Sequence, residues 1–225
     1  MNINLNIVQP PHVVFLLSGE SFPALFFDCF FNLLDYCNRQ NIGYTIIRRY
    51  SPVVYFVRNM CLGGNVLRGE NQKPFDGKIN YTHLMWIDND IAFKPAQFQS
   101  LLNSNMDIIA GAYKMADGRH YAIVENWDEE YFQKNASFKF LTDEDIRGRK
   151  GFIDVDYTGL GFMLVKKGVF ESLKYPWFRP KFYKFGDCFD FCSEDVGFCR
   201  DIKEKGYKIY IDPRIIVGHI KDIVI

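Results

Sequence analysis

Apolar residues along this chain fall into two rhythms, and the alternation between them predicts the architecture. Residues 13–17 form a short continuous apolar run closed by Ser18 and Gly19, which predicts a strand buried on both faces and opening into a turn. Helical spacing follows. Leu25, Phe26, Cys29, Phe30, Leu33, Leu34 and Cys37 share one side of a helix ending before Ile42 and Gly43, with Ser21 as its expected N-cap and Pro23 in its first turn. Phe27 and Phe31 widen the stripe beyond one face, as burial against a second element or a partner chain would require. Residues 44–47 predict a second strand, and Ser51-Pro52 a helix entry, with the helix running to about Leu62 and stopped by Gly63-Gly64. Residues 65–78 read as loop. A buried strand at 83–87 then ends abruptly in Asp88-Asn89-Asp90, Pro95 opens a helix carrying Phe98, Leu101 and Leu102, and residues 107–113 return as strand.

The second half is less regular. Residues 115–151 are short, charged and aromatic-bearing without sustained periodicity, which predicts a hairpin and a long loop. A long strand is expected over 153–165, interrupted by Gly159 and Gly161, then a short helix at 169–173, a helix over 193–205 closed by Gly206, and strands at 208–211 and 215–217. Strand and helix alternate through the first half, so the expected fold class is α/β: one domain over residues 1–225, with a mixed, mostly parallel central sheet and helices on both faces.

Composition narrows the function. With 27 basic and 27 acidic side chains the formal net charge is zero, which argues against a nucleic-acid binder acting through bulk charge. Aromatic residues reach 17%, mostly Phe and Tyr, enough for a well-filled core plus ring-lined surfaces. The six cysteines show no C-x-x-C spacing, so a reduced, cytoplasmic chain is expected; Cys188, Cys192 and Cys199 lie close enough to consider a metal site, but buried thiols explain them as well. The run at 13–17 is too short for a signal segment or a membrane span.

The chemistry concentrates at the ends of elements. Asp88 and Asp90 lie two apart at the end of an apolar strand, on one side of the chain and at the end where α/β sheets bind ligands. Two carboxylates this close repel, and Mg²⁺ or Mn²⁺ would neutralise them; a solvated turn capping the Pro95 helix is the alternative. A second D-x-D, Asp154 and Asp156, alternates with apolar residues inside a strand and reads as one solvent-facing edge, with Asp156 near enough to the Gly159-Leu160-Gly161 turn to touch a substrate. The two glycines mark either close approach of backbone to a ligand or a tight packing kink. Glu194 and Asp195 open a helix behind Ser193, where acids stabilise the N-terminus; crowded with Asp187, Asp190, Phe189, Phe191 and Phe198, one of them is a candidate general base. His219 is either structural or a metal ligand, and Arg58, beside Asn59 in an otherwise apolar helix, either reaches solvent or pairs with an anion.

Taken in order, the strand ending in Ser18, the Arg58-Asn59 helix, Asp88-Asn89-Asp90, the strand carrying Thr158, Gly159 and Gly161, the Ser193-Glu194-Asp195 helix start and His219 resemble the GT-A glycosyltransferases, short bacterial and large-DNA-virus members in particular. The resemblance spans residues 13–219 and implies a Rossmann-like, nucleotide-diphospho-sugar transferase fold, with a nucleotide-binding half at about 12–114 and an acceptor and catalytic half at about 115–225. It implies a metal-dependent transfer from a nucleotide sugar, UDP-sugar favoured, to a glycan or other hydroxyl acceptor. Asp88 would contact ribose and metal, Asp90 and His219 would bind Mn²⁺ or Mg²⁺, and Asp195, assisted by Glu194, would be the base of an inverting reaction. Ser18, Arg58, Asn89 and Lys114 would hold the nucleotide and diphosphate, and Gly159 to Gly161 would lie where donor and acceptor meet. The alternatives are a non-catalytic nucleotide-sugar or glycan-binding module on the same fold and an aspartyl-phosphate phosphatase. The phosphatase usually has a small β-branched residue where this chain has Ala92.

Overall fold

A computed structural model describes residues 10–221. The chain enters through β1 (His12–Ser18), α1 (Ala24–Arg39), β2 (Gly43–Arg49) and α2 (Val54–Cys61). It continues through β3 (His83–Asp88), β4 (Ile91–Ala92), α3 (Pro95–Asn103) and β5 (Ile108–Ala112). The less regular middle holds β6 (Ile123–Val124), α4 (Glu129–Asn135), α5 (Asp143–Ile146), β7 (Ile153–Val155), β8 (Tyr157–Thr158) and β9 (Phe162–Lys166). A hairpin of β10 (Lys181–Phe185) and β11 (Cys188–Cys192) precedes α6 (Glu194–Glu204), β12 (Ile209–Ile216) and β13 (Gly218–His219).

Seven strands form the main sheet in the order β2-β1-β3-β9-β5-β12-β7. β1 is parallel to β2 and β3, and β5 to β12, while β9 and β7 run against their neighbours. Five of the seven strands therefore point one way. Period-two alternation decides which residues go to which face. Val13, Phe15 and Leu17 of β1, with Met85 and Ile87 of β3, pack with α1 and α3 through Phe26, Phe30, Leu33, Phe98 and Leu101. Val14, Leu16, Leu84 and Trp86 face the other way, against Val57 and Cys61 of α2 and Phe198, Cys199 and Ile202 of α6. Both faces are covered, which is why these strands read as continuous apolar runs.

Several expectations are corrected. α1 has Pro23, not Ser21, at its N-cap, and α2 starts behind Val53, with Ser51 instead accepting a bond from the Val53 N–H at 3.2 Å. Phe27 and Phe31 are not buried by a second element of this chain; they stack on each other, 44% and 62% exposed. The stretch at 115–151 holds two short helices besides β6, each opened by a polar residue, Asp128 and Thr142. The single strand expected over 153–165 is three: β7 pairs with β12 at the sheet edge, β8 with β6, and β9 lies at the centre between β3 and β5. Its glycines are where the chain leaves one sheet and joins another. Asp187 and Asp190, expected to crowd Glu194 and Asp195 among rings, lie exposed on the β10–β11 hairpin.

Phe198 ties α6 to the aromatic cluster over the sheet: its fully buried ring lies 5.1 Å from Phe170 and 5.2 Å from Phe178, whose rings in turn pack on Trp86 of β3. Phe198→Ala is expected to cost about 3–5 kcal/mol in urea unfolding at constant m-value.

Candidate functional site

The site begins where the strand order reverses. The chain leaves β1 for β2 on one side and later places β3 on the other, which opens a crevice at the carboxyl ends of these parallel strands. Ser18 and Asp88 are the last register partners of β1 and β3, and the Ser18 hydroxyl donates to Asp88 Oδ1 at 3.2 Å. With Gly19, Arg58, Asn89 and Asp90 they line a cleft of about 460 Å³. That volume suits a small molecule.

Arg58 is the unexpected centre. It is only 4% exposed, its Nη2 donates to Asp88 Oδ2 at 3.2 Å and its Nε to Glu194 Oε1 at 3.3 Å. One side chain on α2 thus ties the Asp88 turn to the start of α6. Burial alone would lower the guanidinium pKa, but the Asp88 and Glu194 charges outweigh it and hold the value above the ordinary one. Trp86 lies under the guanidinium at 5.4 Å, and Nη1 is buried without a hydrogen-bond partner. Glu194 is pushed up, first by burial and then by the neighbouring Asp195 charge, against the pull of Arg58.

Asp90 and His219 meet across the β4–β13 pair, His219 Nε2 standing 2.9 Å from Asp90 Oδ2. The other ring nitrogen, Nδ1, lies 2.6 Å from the Lys114 carbonyl. A carbonyl only accepts, so Nδ1 carries a proton. Nε2 is then left either to pair with Asp90 as an imidazolium or to share a cation with it. Neutral imidazole with its second nitrogen held by a carbonyl, beside a carboxylate, is a donor set that fits a divalent cation. Asp88 is oriented differently, toward Arg58 and Ser18, and among the described residues no group of three or more His, Cys, Asp or Glu side chains stands ready to hold a metal. Lys221 Nζ, 2.7 Å from Asp90 Oδ2, supplies positive charge at the same oxygen.

Asp195 opens α6. Its Oδ2 accepts from the Tyr157 hydroxyl at 2.8 Å, and its Oδ1 from the Ser193 hydroxyl. Of the two readings of Gly159 and Gly161, the packing one describes the structure: the group that approaches them is Tyr113. A Cβ on Gly159 would overlap the Tyr113 hydroxyl, and one on Gly161 would lie 2.9 Å from Tyr113 Cε1. The hydroxyl accepts from Gly161 N–H at 3.3 Å, while burial, then the Asp88 and Asp195 charges, raise its pKa and keep it protonated. The Tyr113 ring also meets the His219 ring edge-on at 5.3 Å. This tyrosine links both halves of the site.

Other residues singled out in the sequence have different tasks. The Lys114 ammonium pairs with Asp143 at 2.7 Å, so Lys114 reaches the site through its carbonyl. Asn89 braces the β1–α1 loop by donating to the Ser21 carbonyl at 2.7 Å, and Asn59 holds the segment at Phe178 through both polar atoms. Asp156 accepts from Trp127 N–H at 2.7 Å and pairs with Lys203, as a structural edge residue does. All six cysteines are free thiols, with Cys37, Cys61 and Cys199 buried. Sequence reasoning missed Tyr113, Tyr157 and Lys221. Tyr113 merely ends an apolar run, and only the two glycines that receive its ring could have hinted at it.

Arg58→Met leaves Glu194 buried without its counter-charge. It is expected to cost about 3–5 kcal/mol near neutral pH. A carboxyl with a raised folded-state pKa adds stability that is complete below its unfolded value and lost as pH rises through the raised one. Removing Arg58 raises that value further, so the deficit against wild type should shrink as pH falls through the carboxylate range. Unfolding curves across that range check it; a pH-independent deficit would assign the loss to packing.

No protein-family model matches the chain, and no curated protein sequence matches it. Solved structures do. A197 from STIV superposes with a TM-score of 0.51 at 18% identity, covering 96% of each chain. GalNAc-T7, crystallised with UDP, GalNAc and Mn²⁺, gives a TM-score of 0.56 at 12% identity over 95% of this chain, which spans 43% of that structure. The catalytic domain of Drosophila beta1,4galactosyltransferase 7, in complex with xylobiose, gives 0.51 at 11% identity over 94% of this chain and 71% of that one. The chain has the α/β fold of GT-A glycosyltransferase structures, built on a mixed seven-stranded sheet in which five strands run the same way.

Proposed function

We propose that this protein is a metal-dependent glycosyltransferase that moves a sugar from a nucleoside-diphosphate sugar to a hydroxyl acceptor with inversion. The observation that carries the reading is the Arg58 bridge, which brings the Asp88-Asn89-Asp90 turn and the Glu194-Asp195 helix start to one crevice at the carboxyl ends of parallel strands. GalNAc-T7, whose structure holds UDP and Mn²⁺, has this fold, and a nucleotide-sugar ligand suits the cleft.

Each residue has a defined part. Ser18, Asp88 and Arg58 line the cleft where the nucleotide would lie. Asp90 and His219 would hold Mn²⁺ or Mg²⁺, which when bound supplies positive charge to the leaving diphosphate. Asp195 would receive the acceptor's hydroxyl proton as that oxygen bonds to the anomeric carbon; the bond from that carbon to the diphosphate breaks, and its electron pair departs with the nucleoside diphosphate. Tyr157 and Ser193 orient the Asp195 carboxylate for that task. One observation favours a second reading, a non-catalytic nucleotide-sugar-binding module: both Asp195 oxygens already accept hydrogen bonds.

A panel of nucleotide sugars, followed by release of nucleoside diphosphate with Mn²⁺ or EDTA, separates the two. The transferase reading expects metal-dependent release and a fall of about a hundred- to ten-thousand-fold in Asp195→Asn. Metal-independent turnover, or transfer undiminished in that variant, overturns it; nucleotide binding without product supports the module. In the same assay His219→Ala should shift the Mn²⁺ dependence to higher concentration, since it removes one of two side-chain ligands.

A further inference from the structure

The main sheet ends on one side at β2, whose outer edge has no neighbour among the described residues. Gly43 N–H donates to the Pro11 carbonyl and Gly19 N–H to the Arg49 carbonyl, so residues 43 and 49 turn their backbone groups toward β1. Alternation then turns those of Tyr44, Ile46 and Arg48 outward. The Arg48 carbonyl accepts from the neighbouring Arg49 Nη1 at 2.8 Å, a contact on the exposed surface. Sheet edges are usually shortened, bulged or guarded by Pro or Lys, because an unpaired edge is a template for association. β7, at the other end of the sheet, is only three residues long. β2 runs for seven, contains no Pro or Lys and keeps its register with β1 throughout. Helices on both faces aim apolar side chains past this edge. On one face α1 lies over β1 and turns Cys29 and Tyr36 to the α3 side, where Cys29 Sγ accepts from Phe93 N–H and the Tyr36 hydroxyl donates to Gln99. Phe27 and Phe31, two positions either side of Cys29, stand about 160° round the helix from it, on the β2 side. Phe22, 6.0 Å from Phe27, meets the Arg48 guanidinium of β2 there. On the other face Arg58 points from α2 toward Asp88 and Glu194, so Phe56 and Met60, two positions before and after it, point the opposite way, past β2. Phe56 is 55% exposed and Ile46 of β2 itself 42%.

We propose that β2 is a dimerisation edge: a second copy of this chain pairs with it antiparallel about a two-fold axis through Ile46, making one sheet continuous through both copies. The inference is independent of the transferase reading. Outward amides and carbonyls select a β-strand as the partner, which an apolar patch alone would not do. Three features select the chain's own strand. First, register: Ile46 exchanges both backbone bonds with its copy, Tyr44 meets the copy's Arg48 and Gly43 the copy's Arg49, so no like charges stand opposite each other. Second, spacing: an axis perpendicular to the sheet keeps each helix on its own face, so α1 meets its copy and α2 meets its copy. Three strand spacings, roughly 14 Å, separate β1 from its copy and therefore the two α1 helices that lie over them. Phe27 and Phe31 rings entering from both sides fill a gap of that width. Third, area: Phe27, Phe31 and Phe56 at their exposures, with Ile46 and Met60, offer roughly 450 Å² of apolar surface. That is just over half of the 800 Å² or so that each partner contributes to a stable interface, which is the ordinary apolar share.

The test is sedimentation equilibrium of the full chain at about 1 to 100 µM; interfaces of standard size dissociate at micromolar concentration or below, so a dimer is expected within this range. Ile46→Pro keeps the pairing with β1, because the amide it removes points outward, and is expected to weaken the dimer about tenfold or more. Phe31→Lys, at an exposed position outside the strand, should weaken it likewise and serves if the proline variant does not fold; thermal melting checks both. Register is read by oxidation with diamide. Ile46→Cys is expected to give a covalent dimer, whereas Arg48→Cys, about 14 Å from its own copy, should give no more than wild type. The proposal is overturned if wild type stays monomeric throughout, if either variant, folded, dimerises as tightly as wild type, or if Arg48→Cys cross-links and Ile46→Cys does not. Dimerisation only after deletion of residues 1–9 also overturns it, by making that segment the cover of the edge.

Discussion

One buried cation holds this site together. Arg58 sits on α2 with its guanidinium sealed over Trp86, and its two carboxylate partners come from β3 and α6, 30 and 136 residues away in sequence. A charge removed from water is tolerated only when paired, so wherever Arg58 is buried, Asp88 and Glu194 must follow. The packing that buries it, Val57 and Cys61 against the sheet and Phe198 against Phe170 and Phe178, therefore also sets the distance between the Asp88 turn and the Asp195 helix start. Nη1 remains buried without a hydrogen-bond partner, so the network is not closed within the protein.

A second constraint works through shape. Gly159 and Gly161 have no side chains, so the Tyr113 ring enters the space they leave and its hydroxyl lies under the influence of both Asp88 and Asp195. The same ring steadies His219, whose tautomer is set by the Lys114 carbonyl. Asp195 and His219 are oriented by neutral partners, Tyr157 and Ser193 for the acid and the Lys114 carbonyl for the histidine, whereas Asp88 and Glu194 are paired with Arg58 and Asp90 with Lys221. The neutral contacts hold the Asp195 carboxylate in place without neutralising it.

Much of this was legible in the chain itself. The runs at 13–17 and 83–87 lie in buried strands, as does 108–112 within the run expected at 107–113, because both sheet faces are covered, and the D-x-D falls at a strand's carboxyl end because polar residues cannot continue such a run. Asp195 at a helix start follows from residue type and order, whereas the meeting of Asp90 with His219 was implied only by the resemblance to GT-A glycosyltransferases. The failures have a common cause. The hairpin at 181–192 carries rings on one face and mixed residues on the other, a pattern that crowding in sequence disguised as a carboxylate cluster. Lys114 looked like an anion contact because nothing in the sequence announces that Asp143 lies 2.7 Å from its ammonium. The strand expected over 153–165 broke into three because its segments find different partners, β12, β6 and β3 with β5.

By itself, then, the sequence determined the α/β class, the order of the elements through β5 and which residue types stand at their ends, since periodicity and chain stops are local properties. Tertiary structure alone decided that Arg58 is buried and bridging, that Tyr113 fills the glycine gap, and that three phenyl rings of the β10–β11 hairpin face solvent. Those outcomes depend on contacts between segments far apart in the chain, where burial and pairing are set by the partner and not by the residue.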